Sequence, residues 1–480
     1  MDFPFVGPSY VYPSINFDSQ RSINHYPASS ESGDSKARFI LNPTPGRALF
    51  AQAPVQSIRG MIEAGGLAYI VAYNKFYLMN ANGVFTEYGT ITSFAGNVSM
   101  SYNGLQIIIV DGTVGGGWIY TIATNAFAAI IDTSADFPGG TTVSFLDGYF
   151  IVNVPNTGIY QWSALYNGLT WDPTDFANAE GSPDNLVAVI AAHRQVFLMG
   201  GNTVEVIYNT GASPNPFERV QGVFIQYGTN APFSVQQVAN TIFWLGRDQS
   251  GANTVWMAQG YQPQRISTTP IENYLSQYDS TNAIAYTYQE NGHYFYILNV
   301  VGAPTSVCYD ISEKQWHERA RWIYEESQWK RDRPNFHIYA YDKHLVGDFQ
   351  NGNIYEQSLN YNKDADILIR RVRISPYFSD QLEYLIFTYL QIDMQTGVGL
   401  NYDTNPANSD PKIGLSWSND GGHTWSSELM TSMGKIGEYN KRAIWRKLGR
   451  ARQRVFQTSV VSDVSVNIIA AHTNVVQCYA

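Results

Sequence analysis

From about Gly66 to Tyr355 one phrase recurs along the chain: an apolar run, a polar turn, then a second run that closes on an apolar residue followed by an aromatic one. The closing pairs are Phe76-Tyr77, Ile119-Tyr120, Ile159-Tyr160, Ile207-Tyr208, Val255-Trp256, Cys308-Tyr309 and Ile354-Tyr355, and their aromatic members follow one another at intervals of 43, 40, 48, 48, 53 and 46 residues. Between the runs lie "VPNTG" (Val154 to Gly158), "MGGNT" (Met199 to Thr203), "RDQSGANT" (Arg247 to Thr254) and "FQNGN" (Phe349 to Asn353). Gly and Asn at these places supply the positive φ that tight hairpins require. A repeat of about 40–50 residues, with two readable strands per copy and room for two more, has the blade spacing of a β-propeller. Seven copies predict six or seven blades, because one hairpin can close the ring or lie outside it. The competing reading is a stack of β-sandwiches.

The flanks differ in character. Residues 1–48 are rich in Ser, Pro and Asn and include "SSESGDSK", which predicts an extended N-terminal arm that gains order through contacts. The propeller is expected over residues 49–360. Residues 361–480 lose the repeat but keep strand patterning in "EYLIFTYLQIDM" and "VSVNIIA", and are expected to form a C-terminal β domain.

Composition agrees with an all-β chain: 14% of residues are aromatic and only 15% charged, with 40 Gly and 21 Pro for turns. The net charge of -10 argues against a protein that grips nucleic acid over its whole surface, while leaving room for a local basic site. The two cysteines, Cys308 and Cys478, have no C-x-x-C spacing and read as reduced thiols. "MDFPFVGPSYVYPS" has no signal-peptide pattern, and apolar runs such as "LQIIIV" are too short to span a membrane, so assembly in the cytoplasm without membrane insertion is expected.

"SWSNDGGHTW" fits the Asp-box, S-x-D-x-G-x-T-W, through Ser418, Asp420, Gly422, Thr424 and Trp425. This hairpin signature occurs in sialidases and other propellers, and its side chains bond back to their own turn. A sialidase would carry several boxes together with an arginine cluster, a tyrosine nucleophile and acid carboxylates. One box outside the repeat therefore reads as structural, and a carbohydrate-binding or sialidase-like propeller is the alternative. No H-E-x-x-H, G-x-S-x-G or P-loop pattern is present, and His317, His337 and His344 match no ligand spacing. "NKDAD" (Asn362 to Asp366) alternates like a calcium loop but lacks its glycine, and reads as a polar linker. No catalytic residue, metal or cofactor is expected. In "KRAIWRKLGRARQR" seven basic residues occur with no acidic one: Lys441, Arg442, Arg446, Lys447, Arg450, Arg452 and Arg454. The last three alternate, so in a strand they would share one face. Such a strip would meet DNA phosphate or an acidic partner, or else be salt-bridged to neighbouring carboxylates.

The segments "GPSY", "QRSINHYP" (Gln20 to Pro27), "NPTPGRALF" (Asn42 to Phe50), "VGDFQNGNIYE" (Val346 to Glu356), "DPKIGLSWSNDGGHTWS" (Asp410 to Ser426) and "IGEYNKRAIWRKLGRARQRVFQTSVVSDVSV" (Ile436 to Val466) resemble, in order and spacing, the packaged-DNA stabilisation proteins of short-tailed bacteriophages, also called tail accessory or nozzle proteins. The likeness covers almost the whole chain. His25 stands where that family more often has an aliphatic residue, and "NYDTNPANS" (Asn401 to Ser409) is peculiar to this chain. The resemblance implies a structural component of the virion tail: a homo-hexameric tube below the portal-adaptor ring that continues the DNA channel, retains the genome, and docks a tail needle or plug and tail fibres or spikes. It also implies transient contact with double-stranded genomic DNA, for which the chain's acidity would keep the channel wall non-adhesive.

Overall fold

The structure, a computed structural model, describes residues 2–32, 34–130, 137–179, 181–247, 251–380 and 383–477. Seven blades follow one another over residues 58–90, 99–129, 143–178, 186–219, 236–265, 284–323 and 334–358. Blades one to five are separate four-stranded antiparallel sheets. Blade seven takes three strands from its own segment and its fourth, Gly46–Gln52, from the N-terminal region, paired antiparallel to Asn353–Ser358. That strand closes the ring and begins three residues inside the segment expected to be an arm. Stretches from the first strands of all seven blades surround an axial channel of about 280 Å³, lined by residues such as Met61, Ser99, Ser144, Ile190, Gln236, Thr287 and His337.

All seven aromatic closing pairs lie on the third strand of their blades. Adjacent strand residues point to opposite faces, and a blade is covered on both faces by its neighbours, so both members of a pair have a neighbouring blade to pack against. Tyr77, Tyr120, Tyr160, Trp256, Tyr309 and Tyr355 are all buried, and Tyr208 alone reaches solvent. Most seams between blades are apolar. Between blades one and two, for example, Val71 and Phe76 pack with Ile107, Ile109, Trp118 and Tyr120. The seam between blades six and seven is different. There His337 Nε2 and His344 Nδ1 lie 3.0 Å apart, with Tyr288 of blade six against both rings.

The second domain is a β-sandwich. One sheet orders the strands His25–Ser29, Phe39–Pro43, Ile468–Gln477, Leu385–Met394 and Ala443–Arg446. The other contains Arg370–Ile374, Gln453–Val461, Lys412–Ser418 and Leu429–Ser432, and is joined to the outer strand of blade six through Ser19–Ile23. Its core includes Leu41, Phe387, Leu390, Ile413, Trp445 and Phe456. The N-terminal segment is therefore extended, and it is ordered by contacts with its own chain: it contributes strands to both sandwich sheets and to blade seven. Asn24, at φ 58°, turns the chain from one sheet to the other. Its amide donates to the carbonyls of Ala320 and Arg370 at 2.8 Å each, so one side chain ties blade six to the sandwich.

Candidate functional site

Burying charge in a protein requires a partner, and the contact between propeller and sandwich is where this chain buries most of it. Arg47 of the closing strand donates both Nη groups to the Asp332 carboxylate (2.7 and 2.5 Å) and one of them to Asp364 (3.1 Å). Arg333 Nε donates to the other oxygen of Asp364 (2.8 Å). Burial alone would raise the Asp332 pKa, but the Arg47 fork overrides it and holds the carboxyl below its ordinary range. Glu318 is likewise buried, accepting from Arg21, from Ser9 Oγ (3.1 Å) and from Thr305 Oγ1 (3.0 Å). These pairs join the N-terminal segment to blades six and seven and to the connector that leads into the sandwich.

The Asp-box forms the turn between Lys412–Ser418 and Leu429–Ser432. Ser418 Oγ donates to Asp420 Oδ1 (2.6 Å) and accepts from the Gly422 N–H (2.7 Å). Asp420 also accepts from the Thr424 N–H (2.9 Å) and hydroxyl (2.5 Å). Bonds from Ser418 and Thr424 hold the Asp420 carboxyl well below the usual carboxylate range. Gly422 has φ 101°, a conformation open to glycine, and the Trp425 indole donates to its carbonyl (3.1 Å). A Cβ on Gly421 would lie 2.1 Å from the Tyr377 hydroxyl and 2.5 Å from Asn16 Oδ1, so the box sits directly on the N-terminal segment. Both oxygens of Asp420 are engaged within the loop, an arrangement that shapes a turn and leaves no oxygen free for acid–base chemistry.

The basic strip divides. Lys441, Arg442, Arg446, Lys447, Arg450 and Arg452 are exposed, and among the described residues none of them is ion-paired. Arg450 and Arg452 both lie over the Tyr384 ring, 5.1 and 4.7 Å from its centre. Arg454 does not share their face, against expectation. It is 1% exposed, sits over Phe387, and donates to Asn419 Oδ1 (2.9 Å) and to the carbonyl of Leu448 (2.7 Å). Strand pairing breaks after Ala451 and resumes at Gln453, which resets the alternation. Burial pushes the Arg454 pKa down to about 10. Cys308 is buried and its thiol pushed up to about 12 by burial, while Cys478 lies outside the described residues. Among the described residues no group of three or more His, Cys, Asp or Glu side chains could hold a metal, and no helix is long and apolar enough to cross a membrane.

Two family descriptions match the chain in sequence order: "Bacteriophage P22 Gp10, beta-propeller" over residues 1–361 and "Bacteriophage P22 Gp10, beta-sandwich" over residues 370–476. The chain belongs to this family. Tail hub protein gp10 of Salmonella phage P22 is 21% identical over 313 residues, which is 60% of this chain and 60% of that protein. Among solved structures, the Cps50 (Swd1) β-propeller domain of Myceliophteria thermophila is 7% identical and covers 65% of this chain and 99% of its own, at a TM-score of 0.41. The WD40 β-propeller domain of Doa1 is 10% identical and covers 65% and 97%, at a TM-score of 0.39.

Within this Gp10-family chain the two matched segments meet at the connector around Asp364. Reading "NKDAD" as a plain linker misses the carboxylate that bridges Arg47 and Arg333. No local pattern marks it, since its partners lie 317 and 31 residues away.

Proposed function

We propose that six copies of this chain assemble into the tail hub of a short-tailed phage, below the portal-adaptor ring, where they continue the DNA channel, retain the genome, and dock the needle or plug and the fibres or spikes. The observation that carries the reading is the match of both Gp10 domains in order along one chain. In this role the protein makes and breaks no covalent bond, and its work is done by rigid contact surfaces. A ring of blades locked by its own N-terminal strand suits such a building block, because no blade is left with an unpaired closing edge.

The exposed part of the basic strip supplies a contact with a direction. The chain is acidic overall, at -10, yet six cations are grouped on the sandwich without carboxylates of their own chain among the described residues. Such a patch attracts the acidic surface of a neighbouring copy or of the adaptor, and head-to-tail contacts of this kind close into rings. Replacing Arg450 and Arg452 together with Ser is expected to block assembly without moving the unfolding midpoint of the isolated chain, because both side chains are exposed. Tails that form but leak genome would place the strip against DNA, and wild-type behaviour in both tests would remove it from the contact surface.

Negative-stain imaging of the purified chain with and without its adaptor ring tests the whole reading. Six-fold rings seated on the adaptor are expected. A chain that stays monomeric and unbound in both samples would sink the proposal.

A further inference from the structure

A cavity of about 70 Å³ opens where the closing strand, the outer strand of blade six and the connector to the sandwich meet. Five arginines line it, Arg47, Arg319, Arg321, Arg333 and Arg370, together with the two acids Asp332 and Asp364. Both carboxylates are already committed to Arg47 and Arg333. The remaining three arginines have no carboxylate partner among the described residues.

Their donors are not all used. Arg319 is 2% exposed, donates Nη2 to the Tyr288 hydroxyl (2.6 Å) and Nε to His317 Nε2 (3.4 Å), and leaves Nη1 without an acceptor. Arg370 stacks over the Trp322 ring at 4.3 Å, and its buried Nε is also unbonded. Arg321 reaches only neutral oxygens, the carbonyl of Arg331 and Gln350 Oε1, each at 3.3 Å. Guanidinium does not lose its proton readily, so burying it without a counter-charge is costly, and a buried donor left unbonded adds to the cost. One water needs about 10–15 Å³ of such space, so the cavity admits a compact group of several heavy atoms.

We propose that this cavity binds a tetrahedral oxyanion of the phosphate class. Five cations against the two lining carboxylates and Asp348, which also pairs with Arg333, leave an excess of two, which a dianion offsets better than a single carboxylate. Planar guanidinium groups approaching from several strands match its separate oxygens. Bound there, the anion joins blade six, the closing strand and the connector, and so fixes the sandwich to the propeller. The source can be free phosphate or the terminal phosphate of a nucleic-acid end, since only the phosphate group fits the cavity.

Calorimetric titration of the full chain with inorganic phosphate at constant ionic strength, alongside unfolding midpoints in phosphate and in chloride, tests this. Saturable binding with a raised midpoint is expected. Arg370→Gln and, separately, Arg321→Gln should each weaken binding about tenfold to a hundredfold, while an Arg194→Gln control, on an exposed turn of blade four, keeps it. Arg321 touches only neutral oxygens, so its variant is expected to fold in chloride and keeps the test decisive if Arg370→Gln does not. A 5′-phosphorylated oligonucleotide that binds more tightly than phosphate, and more tightly than its unphosphorylated twin, would identify a nucleic-acid end as the source. Equal affinity for phosphate alone would identify the free ion. A phosphate effect no larger than that of chloride, or one unchanged in both cavity variants, overturns the site.

Discussion

Replacing Asp332 with alanine is expected to destabilise the chain by about 3–5 kcal/mol, the usual cost of stranding one member of a buried ion pair. Asp332 is 3% exposed and receives both Nη groups of Arg47, which is 6% exposed itself. Without Asp332, Arg47 keeps Asp364 as its only carboxylate among the described residues, and Arg333 competes for the same group. The loss should begin at ring closure, because Arg47 lies on Gly46–Gln52 and Asp332 lies two residues before the first strand of blade seven. Amide exchange along Gly46–Gln52 should therefore rise before it rises in blades two to four. Asp332→Asn, which keeps the shape and can still accept a hydrogen bond, should lose less. Replacing the pair together, Arg47→Met with Asp332→Leu, should also lose less than Asp332→Ala alone, since no charge is then left stranded from that pair. Denaturant midpoints read by tryptophan fluorescence provide the measurement. An unchanged midpoint for Asp332→Ala would show that the network contributes nothing to closure.

The blades were legible in the sequence because each repeats a local device. An apolar and an aromatic residue, adjacent on the third strand, bury themselves on opposite faces, and the turn residues needed lie within a few positions. The Asp-box was legible for the same reason, since its bonds join residues at most four apart. Ring closure was not. The strand Gly46–Gln52 looks like any other short strand, and its partner Asn353–Ser358 lies some three hundred residues on, with only tertiary packing to bring them together. The buried arginines were hidden too. Arg47, Arg319, Arg371 and Arg373 each look like a surface cation until the fold places a carboxylate, a carbonyl or an aromatic ring beside it. The basic strip was half legible: a cluster of cations without acids does stay largely exposed, but reading Arg450, Arg452 and Arg454 as one face assumed an unbroken strand.

Between pH 6.5 and 5 the chain should lose about 4 kcal/mol of stability, most of it through two histidines buried in the neutral form. His25 is 1% exposed, and burial, followed by the nearby charges of Arg371 and Arg373, pushes its pKa down to about 3. His317 is fully buried and held well below its ordinary value by burial and by Arg319. A base whose folded pKa is depressed leaves stability intact above the unfolded value, near 6.5, and loses it as the pH falls from there toward the folded value. In that window the unfolded chain takes up the proton and the folded chain does not, at about 1.4 kcal/mol per group per pH unit. His337 and His344 are shifted in the same direction by burial, but His337 is half-buried beside the axial channel and contributes less. His293 runs the other way. Its bond to Asp310 (2.7 Å) raises its pKa, so its contribution is complete below the unfolded value and is lost only as the pH rises. The carboxylates Asp332 and Glu318 are depressed and keep their charge to lower pH, while Glu290, raised by burial, takes up its proton more readily in the folded chain and opposes the histidines as the pH falls. His25→Leu should cut the slope of midpoint against pH by about half. The variant should also hold the N-terminal hairpin on blade six at pH 5, where Tyr26 packs against the rings of His293, Phe295 and His317. Denaturant unfolding at pH 7, 6 and 5, with wild type and variant side by side, decides the matter. Parallel slopes would mean that His25 takes up its proton in the folded chain, and the acid sensitivity would then rest on His317 and on the seam between blades six and seven.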